Sequence, residues 1–317
     1  MCGISGLANC GDRETLARMT HVQTHRGPDD SGLWDRKFPD GSYLGLGSRR
    51  LAILDLSSSG HMPMCNEDRT LWITYNGEVY NFGELRRGLE NKGHRFNSNT
   101  DTEVILHLYE QEGPDCVKRL NGMFAFAICD LRKTAPELFL ARDHFGIKPL
   151  YYYHEGNHFA FASEVKAVLQ VPGIRAELDP RSLHQYLTFL WVPEPKTMFR
   201  RISKLPAGHY AIFRDGKFNL TQYWDLEFPP ANQTYWLAND LQSIVDDLLS
   251  SSHLRKRGLF KPESVRRLVD EHRCGRHDWS MQLWQFLTLE LWMQMFLDGG
   301  AKRFETETVI PMQAATA

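Results

Sequence analysis

The chain has 317 residues, 42% of them hydrophobic and 12% aromatic, enough for one large domain or two ordinary ones with real cores. A formal net charge of −2 argues against a general nucleic-acid or anionic-membrane binder. Six cysteines, at 2, 10, 65, 116, 129 and 274, form no CxxC pair and no Cys/His spacing that suggests zinc, and no basic, apolar leader opens the chain. Free thiols in a reducing, cytoplasmic compartment are the expectation.

The first segment, "MCGISGLA", reads as a strand with Cys2 just behind the initiator. Cys2 is either a small buried hydrophobe opening that strand or a nucleophile. Methionine is readily removed before a small side chain, and Cys2 would then carry a thiol and a free α-amine able to act as its base. Residues 12–25 follow as a helix, then a Gly/Pro loop, "HRGPDDSG". "SYLGLGSRRLAIL", "TLWITYNG", "MFAFAICD", "ELFLARD", "LYYYH" and "HFAFAS" are runs rich in β-formers or aromatics. "PDGS" and "HEGN" mark hairpins. Two further helices lie among them. One, over 81–94, stops at Gly93; the other, over 100–113, opens with a capping box of Thr100 and Glu103. Hairpin strands interleaved with a few helices predict antiparallel sheets covered by helices, an α+β layered domain over residues 1–228.

At Pro229-Pro230 the texture changes, with a junction predicted over 229–235. Leu237, Leu241, Ile244, Val245 and Leu248 follow helical spacing, and Pro262 opens another helix. A Trp-rich segment over 278–298 is interrupted by Gln282, Gln285, Glu290 and Gln294, which favours a buried helix over a membrane span. A helical part over 236–298 and a loose tail over 299–317 complete the layout.

Four stretches carry residues suited to chemistry, each with a plainer alternative. Arg50 in "SRRLAILD" offers a fork for a carboxylate, or is a solvated strand-end arginine. Asn76-Gly77 in "YNGEVYN" is placed at a turn, where an amide and a glycine N–H could donate to an oxyanion, or simply make a hairpin. Asp101 stands in the first turn of the capped helix, where an acid also complements the macrodipole. The loop "HRGPDDSG" is most simply a turn.

Taken together, "MCGI", "HRGPDDSG", "RRLAILDLS", "GHMPM", "NGEVYNF", "TDTEV", "LNGMFAFAI", "LARDHFGIKPLYY" and "FASEVKA" run in one order across residues 1–228. In that order they resemble the class II glutamine amidotransferases, and within them the glutamine-hydrolysing asparagine synthetase family. The resemblance implies a four-layer αββα sandwich of the N-terminal-nucleophile hydrolase type. It implies Cys2 as nucleophile, and Arg50 with the backbone of Leu51, Ala52, Ile53 and Leu54 around the glutamine carboxylate. Asn76 and Gly77 would form the oxyanion hole, and Glu78 and Asp101 would hold the substrate ammonium. Glutamine is then the substrate, and no cofactor or metal is expected for its hydrolysis.

A full member of that family carries a second domain that uses ATP and Mg to activate aspartate through a Ser-Gly-Gly-x-Asp-Ser loop. That loop does not occur after residue 228, so asparagine synthesis is not expected from this chain alone. Residues 236–298 resemble the helical end of that second domain, which implies that its middle is missing. The apolar helix over 278–298 is therefore expected to fold onto the first domain, to self-associate, or to be poorly ordered. A non-catalytic or regulatory remnant, or an ammonia-delivering partner of a separate synthetase, is the alternative function.

Overall fold

The structure, a computed structural model, describes residues 1–226, 233–296 and Asp298. The tail expected at 299–317 and residues 229–232 of the expected junction lie outside the described residues. The chain divides into two compact units, Met1–Leu226 and Glu227–Ala317.

The first unit is built on two six-stranded antiparallel sheets. The first sheet holds β1 (Gly3–Ala8), β2 (Asp30–Lys37), β3 (Tyr43–Arg50), β8 (Tyr151–Glu155), β9 (His158–Ala162) and β10 (Ile202–Lys204), in the order β10-β8-β9-β1-β3-β2. The second holds β4 (Met64–Cys65), β5 (Leu71–Val79), β6 (Gly122–Asp130), β7 (Glu137–Arg142), β11 (His209–Arg214) and β12 (Lys217–Gln222), ordered β12-β11-β7-β6-β5-β4. Helices α1 (Arg13–His21) and α4 (Val165–Val168) cover the first sheet, and α2 (Phe82–Glu90) and α3 (Asp101–Glu112) the second.

Alternation along the strands explains the layering. On β1, Ile4 and Ala8 enter the core between the sheets while Leu7 faces Leu16 and Met19 of α1. On β6, Ala125, Ala127 and Cys129 line the inter-sheet core, whereas Phe124, Phe126 and Ile128 face Val104 and Leu108 of α3. A strand buried on both faces needs no polar alternate, which is why "MFAFAIC" is continuously apolar. The layers are α, β, β, α, the predicted four-layer α+β architecture.

Three local expectations are corrected. Asn76-Gly77 is no hairpin turn: both residues lie inside β5, opposite Ala125 and Phe124 of β6. Gly77 has no positive φ, whereas Asp215 and Gly216, between β11 and β12, have φ of 51° and 73° and make the Xaa-Gly hairpin. The nine-residue ladder with β6 carries β5 straight through. Second, the strand expected to continue through Leu54 stops at Arg50, because the Arg50 guanidinium folds back onto the carbonyls of Leu54 and Asp55 and curls Leu51–Leu54 into a loop. Third, the capping box is one-sided. Thr100 Oγ1 accepts from Glu103 N, but the Glu103 carboxylate accepts from the N–H groups of Asn97 and Ser98 instead of returning to Thr100. Helix α5 (Pro180–Phe189), capped by Asp179 with Pro180 at its first position, was not anticipated.

In the second unit, α6 (Gln233–Ala238), α7 (Gln242–Leu248), α8 (Ser251–Arg257), α9 (Pro262–Arg273) and α10 (Ser280–Phe296) enclose a core of their own. Leu237, Val245, Leu254, Val265, Leu283 and Leu287 meet there. The period read over Leu237–Leu248 is split between α6 and α7, leaving Ile244 exposed. Glu290, buried on α10, is held by Arg257 through Nε and Nη2 at 3.0 and 2.9 Å. Trp284, Leu291 and Trp292 remain on the surface of α10. No helix among the described residues is long and apolar enough to cross a membrane.

Candidate active site

Cys2 precedes β1, and the antiparallel β3 ends beside it in Arg50, at the Gly3–Arg49 end of the paired register. The Cys2 sulfur accepts from Leu51 N at 3.4 Å and points at Leu51 O at 3.8 Å, while its backbone carbonyl accepts from Arg26 Nε. Burial pushes the Cys2 thiol pKa up, against the opposing pull of the Leu51 N–H, the chain's α-ammonium and Arg50. A thiol held in its protonated form needs a base beside it to become a nucleophile.

Arg50 is only 7% exposed. Its Nη2 donates to Leu54 O at 2.9 Å and to Asp55 O at 2.6 Å, which orients the fork. Gly60 backs it so closely that a Cβ there would lie 2.1 Å from Nη2. Only glycine permits that approach.

Asn76 and Gly77 come from β5. Asn76 is 1% exposed, and its Nδ2 has no hydrogen-bond partner. An orphaned buried donor is costly, and such groups are retained where something else is to be bound. Opposite Gly77, the Phe124 N–H donates to Asp143 Oδ2 and the Phe124 carbonyl accepts from Asp143 N, so the Gly77–Phe124 pair is not hydrogen-bonded. Two residues on, Val79 N donates to Asp101 Oδ2 rather than to β6. By the same parity the Gly77 N–H is turned away from β6. A Cβ at Gly77 would meet Met123 O at 2.4 Å.

Asp101 stands at the start of α3. Its Oδ2 accepts from Tyr75 Oη at 2.5 Å and from Val79 N at 2.9 Å. Burial nevertheless raises its pKa. Glu78, half-buried, is raised as well, first by burial and then by the Asp101 charge, with Lys148 pulling the other way.

One cavity of about 330 Å³ gathers Cys2, Arg50, Leu51, Ile53, Leu54, Asn76, Gly77, Glu78 and Asp101. Of the residues singled out from sequence, Ala52 alone does not line it: its N–H is turned to Asp29 Oδ2 at 2.8 Å. The lining also includes residues that were not singled out, three of which shape the site. Tyr75 anchors Asp101, Met123 forms part of the wall, and Lys148 brings a second cation that is 6% exposed. Lys148 sits within the quoted "HFGIKPLYY", but nothing in its local pattern marks a pocket residue. The cavity thus balances two cations, Arg50 and Lys148, against two acids, Glu78 and Asp101. It combines that balance with a thiol and a free amide donor, a lining suited to a zwitterion bearing a reactive carbonyl.

A family model described as the glutamine amidotransferase domain matches residues 1–224, and one described as asparagine synthase matches residues 227–294. Among curated proteins, a putative glutamine-hydrolyzing asparagine synthetase 2 of Methanocaldococcus jannaschii is 39% identical over 256 residues, covering 74% of this chain and 48% of that one. The glutamine-hydrolyzing asparagine synthetase 1 of Bacillus subtilis is 40% identical over 238 residues, covering 73% of this chain and 36% of its own. The chain therefore spans about half or less of these relatives. A solved structure of glutamine phosphoribosylpyrophosphate amidotransferase from B. subtilis has the same fold at a TM-score of 0.53 and 17% identity, covering 80% of this chain and 59% of that one.

Proposed function

The chain belongs to the glutamine amidotransferase domain family, and on that premise we propose that it hydrolyses glutamine to glutamate and ammonia, with Cys2 as an N-terminal nucleophile. The observation that carries this is the buried Asn76 amide, whose Nδ2 has no partner, on a residue that lines the same cavity as Cys2.

Removal of Met1 exposes the Cys2 α-amine. The amine takes the thiol proton, which the raised thiol pKa makes necessary, and sulfur attacks the side-chain carbonyl of glutamine. The developing oxyanion is met by Asn76 Nδ2 and Gly77 N–H. Return of the proton to nitrogen breaks the C–N bond, releases ammonia and leaves a γ-glutamyl thioester. Water, deprotonated by the same amine, attacks that thioester; the C–S bond breaks, and glutamate and the Cys2 thiol are regenerated. Arg50 pairs with the substrate α-carboxylate, and Glu78 and Asp101 with its α-ammonium.

The second unit is proposed as a helical part of the asparagine synthase domain. Asparagine synthesis, with its ATP and Mg, is the reaction of complete glutamine-hydrolysing asparagine synthetases. This chain is proposed to supply only the ammonia-producing half, because the Ser-Gly-Gly-x-Asp-Ser loop does not occur in it. A separate synthetase or a second copy of the chain is the partner to look for.

The test is glutamate release from glutamine by protein whose mass shows Met1 removed. Release that Cys2→Ala abolishes supports the proposal. No release from processed, folded wild-type protein overturns it and favours a non-catalytic role.

A further inference from the structure

Outside the cavity, three potential metal-binding atoms converge on one point. His107 and Glu110 lie one helical turn apart on α3, and His94 follows α2, where its N–H is tied to Leu89 O. His94 Nδ1 is 3.3 Å from His107 Nδ1. Glu110 Oε2 lies 3.2 Å from His107 Nδ1 and 3.6 Å from His94 Nδ1. Ligands about 2.0–2.1 Å from a tetrahedral zinc ion are separated by about 3.3–3.4 Å. The triangle's edges of 3.3, 3.2 and 3.6 Å lie close to that separation.

The far side of each group is also held. His94 Nε2 donates to Gln111 Oε1 at 3.3 Å, which leaves the lone pair on Nδ1. Glu110 Oε1 accepts from Asn66 Nδ2 at 3.0 Å. His107 Nε2 lies 3.9 Å from Glu103 Oε1 and 4.0 Å from Glu67 Oε1, so two acids flank the nitrogen on the far side of the ring. With neither Nδ1 protonated, two imidazole lone pairs and a carboxylate oxygen face one another at contact distance. They repel unless a cation lies between them.

We propose that His94, His107 and Glu110 form a site for a divalent ion of the zinc class, with a fourth position open to water. Sequence spacing did not reveal it because two ligands come from one helix and the third from the preceding loop. The ion would tie the segment after α2 to the helix that begins with Asp101.

The experiment uses the full chain, stripped with a chelator and titrated with zinc or cobalt. One equivalent is expected to bind and to raise the melting temperature. Cobalt is expected to show the visible absorption of a four-coordinate ion without a thiolate charge-transfer band. Glu110→Gln and His94→Asn, chosen because His107 is deeply buried, should keep native circular dichroism and weaken zinc binding at least about a hundredfold. Gln111→Ala should weaken it about 10–100-fold. Three outcomes overturn the site: no binding by the wild type, a thiolate band, or affinity unchanged in both ligand variants. The first leaves a shared proton as the cation among the three groups.

Discussion

Asn76→Ala separates a catalytic amide from a structural one. Because Asn76 Nδ2 is buried and makes no hydrogen bond, deleting it removes no bond from the resting fold. An unsatisfied buried donor costs about 1–3 kcal/mol, so its loss offsets the packing given up on truncation. The net change should stay within about 1 kcal/mol, a melting shift of no more than about 4 °C for a unit of this size. In the proposed mechanism the amide gains a partner in turnover, the oxyanion. Removing one such donor costs about 10²–10³ in kcat, or about 2.7–4 kcal/mol. KM should barely move, since the interaction forms only as charge develops. Steady-state glutamate release and a thermal melt on the same preparation provide the check. A kcat loss below about fivefold would refute the oxyanion role. A fall in melting temperature beyond about 10 °C alongside lost activity would make Asn76 a structural residue instead.

Acetylating the N-terminus, or retaining Met1, should abolish glutamate release while leaving circular dichroism unchanged, since the thiol then lacks its base; residual turnover would point to another base. Gly60→Ala pushes a methyl into the Arg50 guanidinium. KM for glutamine should rise about 10–100-fold, the value of a charge-assisted pair, with kcat less affected; an unchanged KM would remove Arg50 from carboxylate binding. Asp101 has a folded pKa raised by burial, so its contribution to stability is fullest below its unfolded value near ~3.9 and is lost as pH rises through the folded pKa. Asp101→Asn should therefore gain melting temperature on the wild type as pH is raised from about 4 to 7, while binding glutamine more weakly; parallel melting curves across that range would contradict this. Leu283→Ala, in the core of the second unit, should cost that unit about 2–5 kcal/mol and leave glutamate release intact. Loss of activity would show that the two units depend on each other.

The local part of this protein was legible in its residues. Thr100 before an apolar helix, the Pro262 helix start, the "PDGS" and "HEGN" turns and the aromatic strand runs depend on chemistry within a few neighbours. So does the bare possibility of a thiol beside a free amine at Cys2. Tertiary structure decided the rest through contacts far apart in the chain. Asn-Gly became strand because β6 supplies a ladder to β5, and no local preference competes with a paired register. Arg50 reaches the cavity because β1 pairs with β3 and brings Cys2 against Leu51, 49 residues away. Lys148 and Tyr75 line that cavity, and His94, His107 and Glu110 meet across α3, without any spacing that marks them. A side chain's neighbours across a sheet or between helices are set by pairing and packing, and these depend on the whole fold rather than on adjacent residues.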